Sequence, residues 1–519
     1  SDTNIELSQF WELEDLPSPK HLSQEERDCE IHFQTNVLRN PDGSYTVALP
    51  FKDSKNKIGN SKEVAMRRLK ALERRFKREP HIQQLYREVI EEYKSLGHMS
   101  RSTNETDDGF YLPHHAVIKE CSLTTKLRVV FDGSAPSSTG ISLNETLMVG
   151  PTIQADLFSQ LIKFRLHPYV ITGDIEKMYR QIHIKEEDRR FQRILWRELT
   201  DEIVTYELNT VTFGLAPAPY LAVRTIHQLV DDEGSGYPLA VNPLKRDLYM
   251  DDLLTGASTI EEVIRIRDQI IRLLRRGGFH MRQFASNSPV ILEGLPDTSI
   301  NLRLYQKDQT LKTLGIYWNS LTDTIKYTVQ PIKAHSKVTK RTIASEIAKI
   351  FDPLGLVNPV VVQAKVLTQY LWDLKLDWDE SVPLELNTKW LNFYSQLPEL
   401  HNIDFKRFAS QQNSSRIEVH GFCDASEAAY GACLYLRSID NAGKITTTLL
   451  CSKSRVAPLK KKQTIPRLEL CAASLLTNLY EMIKADLHCS VDQITFWTDS
   501  SIVLHWINTA PKLLKTFVA

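Results

Sequence analysis

Cysteine is scarce: seven in 519 residues, at positions 29, 121, 423, 433, 451, 471 and 489, with no CxxC pair. That excludes a small disulfide scaffold and leaves no metal-ligand spacing. It fits reduced thiols in a cytosolic-type compartment. The fifteen histidines form neither HExxH nor a zinc-finger pattern. No apolar run reaches the roughly 18 residues that a membrane span requires. The opening SDTNIELSQF is polar and acidic, unlike a signal or transit peptide. Walker A and GxGxxG loops are absent, so a nucleotide would have to be held another way. Asp132-Gly133-Ser134 has the wrong residue order for an aspartic-protease motif, and there is no second copy. Net charge is absent as well: 64 Lys+Arg balance 64 Asp+Glu. What remains, 42% apolar and 25% charged residues, is an ordinary folded chain. At about 150 residues per domain the length suggests three or four domains.

The zero total hides blocks. Residues 1–30 hold nine acids and two bases, and 371–405 hold seven acids and two bases. Against them, 61–80 hold eight bases and three acids, and 451–467 six bases and no acid. Such basic blocks are large enough to engage phosphates, although on helices they are more often solvated faces.

The periodicity predicts helices over 61–96, with Ala65, Leu69, Leu72 and Phe76 facing a core. Short strands are expected at 47–50, 116–118, 127–131, 203–206 and 314–318. A further strand at 169–172 should stop at Gly173-Asp174. Residues 152–166 read as helix, Pro217 and Pro219 open a helix to about Val230, and 260–276 is an Arg-rich helix stopped by Gly277-Gly278. Leu248–Met250 and Leu253–Thr255 read as a hairpin with Asp251-Asp252 at its tip. Residues 335–375 are mostly helical, and the acidic, Pro-containing stretch 376–413 is a boundary region. A separate α/β unit follows: strands at 417–422, 432–436, 446–450 and 494–497, with helices over 465–485 and 500–508.

Two sets of acids stand at element ends. Asp174, Asp251 and Asp252 form the first; Asp424, Glu469 and Asp499 form the second. Asp-Asp between strands is ordinary turn chemistry. Here, however, Tyr249-Met250 and Leu253-Leu254 flank the pair, and burying like charges together is costly without a cation. Mg²⁺ takes a few carboxylates plus substrate phosphates, and two such ions suit in-line phosphoryl displacement.

Tyr249-Met250-Asp251-Asp252 resembles the YxDD signature of reverse transcriptases, and ITGDIEKMY (171–179) resembles the preceding palm motif. FGLAPAP (213–219) resembles the motif that opens the template-contacting helix. GFCDAS (421–426), PRLEL (466–470) and WTDSS (497–501) resemble a retroelement RNase H domain. The wording LRVVFDGSA, DIEKMYRQI, YMDDLLTGA and GGFHMRQFASN is most similar to the BEL/Pao class of LTR retrotransposon Pol polyproteins. The resemblance implies an α+β multidomain fold: a right-hand polymerase of fingers, palm and thumb, a connection region, and an RNase H-like α/β domain. Its implied divisions are a basic-helix extension (1–100), fingers and palm (101–320), thumb and connection (321–413) and an RNase H-like domain (414–519). That last domain would lack its fourth acid and final helix, which puts RNase H activity in doubt.

The same resemblance implies RNA- and DNA-templated DNA synthesis on a primer 3′-OH, with an RNA template, a DNA primer, an RNA–DNA hybrid and dNTPs as partners and no membrane. Asp174, Asp251 and Asp252 would hold two Mg²⁺, with Mn²⁺ the alternative ion. Asp424, Glu469 and Asp499 would be metal ligands of the second site. Lys119, Arg128, Asp132, Ile175, Tyr179, Phe213 and Gly214 would contact the nucleotide, Tyr179 as a gate against ribose. Phe213 stands where many relatives have Gln. Leu314, Gly315 and Ile316 would be the primer grip. The expected location is cytoplasmic, within virus-like particles. The rival reading is a domesticated or inactive fragment that binds nucleic acid without extending it.

Overall fold

A computed structural model of the chain describes residues 22–103, 108–118, 127–301, 310–327, 337–374, 376–459, 463–487 and 490–518. Helix α1 (Gln24–Asn36) starts on a capping box formed by Ser23 and Glu26. The short strands β1 (Leu38–Arg39) and β2 (Tyr45–Val47) follow; β2 ends where the expected strand at 47–50 was to begin. Helices α2 (Lys62–Arg78) and α3 (Pro80–Ser95) occupy the predicted stretch, and α2 buries Ala65, Leu69, Leu72 and Phe76 as the spacing requires. Strand β3 (Met99–Arg101) precedes an antiparallel pair, β4 (His114–Ile118) and β5 (Leu127–Phe131).

Next come α4 (Leu157–Leu166), β6 (Tyr169–Ile175), β7 (Ile182–Ile184), β8 (Arg193–Arg197) and β9 (Ile203–Leu208). Then follow α5 (Ala218–Glu233), α6 (Pro238–Arg246), β10 (Leu248–Tyr249), β11 (Asp252–Ala257), α7 (Ile260–Arg276) and β12 (Met281–Ser286). The central antiparallel sheet has the order β10-β11-β6-β12, with α7 packed on it. Strand β6 does not stop at Thr172. It runs through Gly173 and Asp174 to Ile175, because β11 on one side and β12 on the other bond its backbone. Gly173 suits that position, since a Cβ there would meet the Met281 side chain at 2.7 Å. The hairpin tip is Met250-Asp251 rather than Asp251-Asp252, for Tyr249 and Asp252 are a cross-strand pair.

Strands β13 (Thr310–Thr313), β14 (Ile316–Asn319) and β15 (Thr324–Lys326) lead to α8 (Lys340–Ile347), α9 (Asn358–Asp373), α10 (Leu384–Gln396) and β16 (Asp404–Lys406). The strand expected over 314–318 starts only at Ile316. Leu314 and Gly315, with φ of 47° and 88°, are the two-residue turn between β13 and β14. Residues 376–413, expected as a boundary region, contain α10 and β16, and β16 closes the sheet β13-β14-β15-β16. The last unit comprises β17 (Ser414–Ala425), β18 (Ala429–Asp440), β19 (Ile445–Val456), α11 (Ile465–Lys484), β20 (Gln493–Trp497) and α12 (Ser501–Ile507). Its sheet order is β19-β18-β17-β20, with β20 parallel to β17. The first three strands outrun their apolar text because one face carries polar residues such as Glu418, His420 and Arg437.

Buried apolar residues form two clusters. The first joins α1–α3 to the sheets through β12. The second joins α4 and Val170, Leu254 and Ala285 of the central sheet to β13–β19 and α8–α11. Two fully buried arginines tie α4 to the second cluster. Arg165 donates to the carbonyls of Lys406 (3.1 Å), Arg407 (3.2 Å) and Leu449 (2.9 Å). Arg407 donates to His167 O (2.7 Å), Pro168 O (3.1 Å) and the Asp323 carboxylate (2.6 and 2.8 Å). Among the described residues no helix is long and apolar enough to cross a membrane.

Candidate active sites

Across the central sheet, Asp252 on β11 faces Asp174 on β6, and Asp174 faces Arg282 on β12. Residues directly opposite on neighbouring strands share a face, so the three side chains form one row. Asp251 joins them from the hairpin tip, where its carbonyl accepts from Ile175 N–H at 2.8 Å. Met250 holds the turn at φ 55°, and its N–H donates to Gln154 Oε1 at 3.0 Å. Burial, then the charges of Asp251 and Asp174, push the Asp252 carboxyl up to about 7. Burial also raises Asp174, against the pull of Arg282, whose Nε lies 3.2 Å from Asp174 Oδ1 while its other arm reaches Glu176 at 3.1 Å. Carboxylates that raise one another's pKa on a shared face suit a cation held between them. A bulge at Gln283 (φ 54°) follows Arg282, and Lys177 (φ 51°) follows Glu176. Left-handed non-glycine residues are uncommon, and here they crowd around the acids.

Tyr179 is buried and packs on Phe213, ring centroids 4.1 Å apart at 37°. Burial and the Asp251 charge push its phenol well up. Phe213 itself is 42% exposed. Gly214 sits at φ +100°, and a Cβ there would lie 1.9 Å from Phe131 O. No other residue fits. Asn144 ties this turn to the loop after β5: its Nδ2 donates to Gly214 O (3.0 Å) and Ser134 Oγ (2.8 Å), and its Oδ1 accepts from Ala216 N–H (2.9 Å). Asp132 accepts from Ser134 N–H and lies 3.6 Å from Arg68 of α2. Arg128 stands on the exposed side of β5, opposite Val117. Lys119 lies outside the described residues. Leu314, Gly315 and Ile316 are not on the central sheet; Ile316 belongs to the second core. The sequence reading missed Arg282, Gln154 and Asn144, whose roles depend on which distant backbone they meet.

The second set is tighter. Strands β17 and β20 run parallel with Phe422 beside Trp497, so Asp424 and Asp499, two residues on, end side by side. Helix α11 crosses beneath and supplies Glu469. One carboxylate oxygen from each lies within 4.8 Å of the others. Glu469 is 7% exposed, and its Oε2 has no hydrogen-bond partner. Burial, then Asp424 and Asp499, raise its pKa. An unpartnered buried oxygen within three clustered acids is the donor set a divalent ion takes.

Residues 130–283 match the family model described as reverse transcriptase (RNA-dependent DNA polymerase). Residues 339–500 match that of the Pao retrotransposon-like RNaseH-like domain. No curated protein matches the chain. Among solved structures it is similar to the foamy viral protease-reverse transcriptase in complex with RNA/DNA hybrid, at 16% identity and TM-score 0.51, over 85% of this chain and 51% of that one. Another is the foamy viral protease-reverse transcriptase dRH in complex with ds DNA, at 15% identity and TM-score 0.49, over 83% and 64%. The chain therefore spans between about half and two thirds of those chains. It carries a reverse transcriptase domain followed by a Pao-type RNase H-like domain, in an α+β multidomain fold.

Proposed function

We propose that this chain copies RNA and DNA templates into DNA: a primer 3′-OH attacks the α-phosphate of a dNTP and pyrophosphate leaves. The observation that carries the reading is the cross-strand row of Asp252 and Asp174 with Asp251 in the adjoining turn. These three would hold Mg²⁺, or Mn²⁺. When bound, such ions lower the pKa of the primer hydroxyl and offset charge on the phosphoryl oxygens. The chain's own part is positioning. Ile175 locks the Asp251 turn by its N–H, and Arg282 keeps Asp174 on the shared face. The Tyr179–Phe213 wall limits the space for a sugar, which would favour deoxynucleotides. Gly214 and Asn144 fix that wall against the fingers.

Asp424, Glu469 and Asp499 would hold the metal ions of a second site that cuts the RNA strand of an RNA–DNA hybrid; the unpartnered Glu469 oxygen favours this. The enzyme would work in cytoplasmic retrotransposon particles.

The test is primer extension with an RNA template, a DNA primer, dNTPs and Mg²⁺. Wild type extends, and Asp251→Asn loses about 10³-fold or more, the scale for removing one member of a catalytic unit. A wild type that never extends would sink the polymerase reading; equal extension by both would sink the site assignment.

A further inference from the structure

Helix α2 presents two opposite faces. Ala65, Leu69, Leu72 and Phe76 are buried, while Arg67, Lys70, Arg74, Lys77 and Arg78 are all exposed. At 3.6 residues per turn these five bases form one row about 16 Å long, at 1.5 Å rise per residue. The row runs opposite the core stripe and is headed by Glu63 in the first turn. No described residue pairs with any of the five. Less exposed bases of the same core are matched: Arg180 with Glu92, Arg193 with Glu207, Arg197 with Glu73, Arg224 with Glu30. Spacings of three and four residues set like charges one above another, which destabilises a helix. A polyanion laid along the row would relieve that repulsion.

We propose that this row binds the single-stranded template before it is copied, a contact outside both metal sites. The proposal rests on the polymerase reading. Helix α2 packs on β4 and β8, and its Arg68 reaches Asp132 at the foot of the β4–β5 pair, beside the Asn144–Gly214 junction. It belongs to the first core. On the polymerase reading finished duplex leaves toward the Asp424–Glu469–Asp499 trio, whose β17 and α11 belong to the second core. The strand crossing α2 is the one still entering. Recognition is by phosphate charge and is independent of sequence.

The test uses the full chain and its fivefold variant Arg67→Gln, Lys70→Gln, Arg74→Gln, Lys77→Gln, Arg78→Gln. All five side chains lie on the solvent face, so the core is untouched. Affinity is measured by fluorescence anisotropy against KCl, on primer–templates with a 5′ template overhang of about 2 or about 15 nucleotides. Each phosphate neutralised on a single strand contributes about 0.7 to the log–log salt slope. The variant should lose up to about 3.5 of that slope on the long overhang. It should match wild type in affinity and extension on the short one. An unchanged slope on the long overhang overturns the proposal and leaves a solvated face. Equal loss on both overhangs overturns it too, since the contact would then be to duplex. A wild type that binds but never extends fails the polymerase reading and leaves the slope comparison intact.

Discussion

The two carboxylate clusters handle the same electrostatic problem in different ways. In the central sheet the acids come from adjoining strands, and a base stands in line with them: Arg282 bonds Asp174 and Glu176. In the RNase H-like unit the acids come from two strand ends and a helix, and no described base pairs with any of them. Among the described residues only that second trio brings oxygens within 4.8 Å. A cluster with a built-in counter-ion holds its geometry without a metal. In the cluster without one, water reaches the exposed Asp424 and Asp499, and the buried charge is that of Glu469.

Short of removing a metal-ligand candidate itself, the largest expected effect comes from breaking the counter-ion of the first cluster. Arg282→Ala leaves Asp174 without its counter-ion and Glu176 with Lys177 alone, and primer extension should fall by about 10–100-fold, the usual cost of removing a partner of a metal ligand. Arg282→Lys should recover part of it, because the charge returns without the planar fork. Steady-state kinetics with a Mg²⁺ titration read this; kcat/KM equal to wild type in Arg282→Ala would mean that strand pairing alone holds Asp174. A smaller effect concerns stability without metal. Glu469→Gln removes a buried charge held beside two like charges, Asp424 and Asp499, so in EDTA the apparent Tm should rise by roughly 2–4 °C, equivalent to about 1 kcal/mol. Asp174→Asn should gain less, because Arg282 loses its bond. The reverse ranking would erase the distinction between the clusters.

Much of this was legible locally and little of it non-locally. Helix α2 followed from its 3.6-residue spacing, and α5 from Pro217 at its start. Of the six acids, Asp424, Glu469 and Asp499 come together, and Asp252 stands opposite Asp174 with Asp251 in the adjoining turn. Strand ends were less legible. Gly173-Asp174 reads as a stop by composition, yet two flanking strands draw it into β6. Leu314-Gly315 reads as strand because the apolar text continues, yet φ of 47° and 88° makes it a turn. The hairpin tip shifted by one residue because register is set by the partner strand. Arg282 was invisible as a functional residue for the same reason: nothing within GGFHMRQF says that β12 lies beside Asp174. The acidic stretch before β17 reads as a boundary region, and its text does not reveal that a fully buried Arg407 there binds carbonyls some 240 residues upstream.

The smallest effect lies on β17 itself, where an acid paired with bases shares a strand face with one that, among the described residues, bonds only Ala425 N–H and Glu469. Glu418 and Asp424 are six residues apart and therefore point the same way. Glu418 lies 3.1 Å from His420 Nε2 and accepts from Arg437 (2.7 Å) and Arg416 (2.6 Å). His420, then Arg437 and Arg416, hold its carboxyl down at about 2, against the opposing pull of burial. A carboxyl depressed on folding contributes stability that is complete above its unfolded pKa, near 4.5, and is lost as pH falls through about 2. Glu418→Gln should therefore destabilise the RNase H-like unit at neutral pH, opposite in sign to Glu469→Gln. Its urea midpoint should converge on that of wild type between pH 4.5 and 2. Midpoints that stay parallel across that window would show that the three bases stabilise Glu418 no more in the folded chain than in the unfolded one.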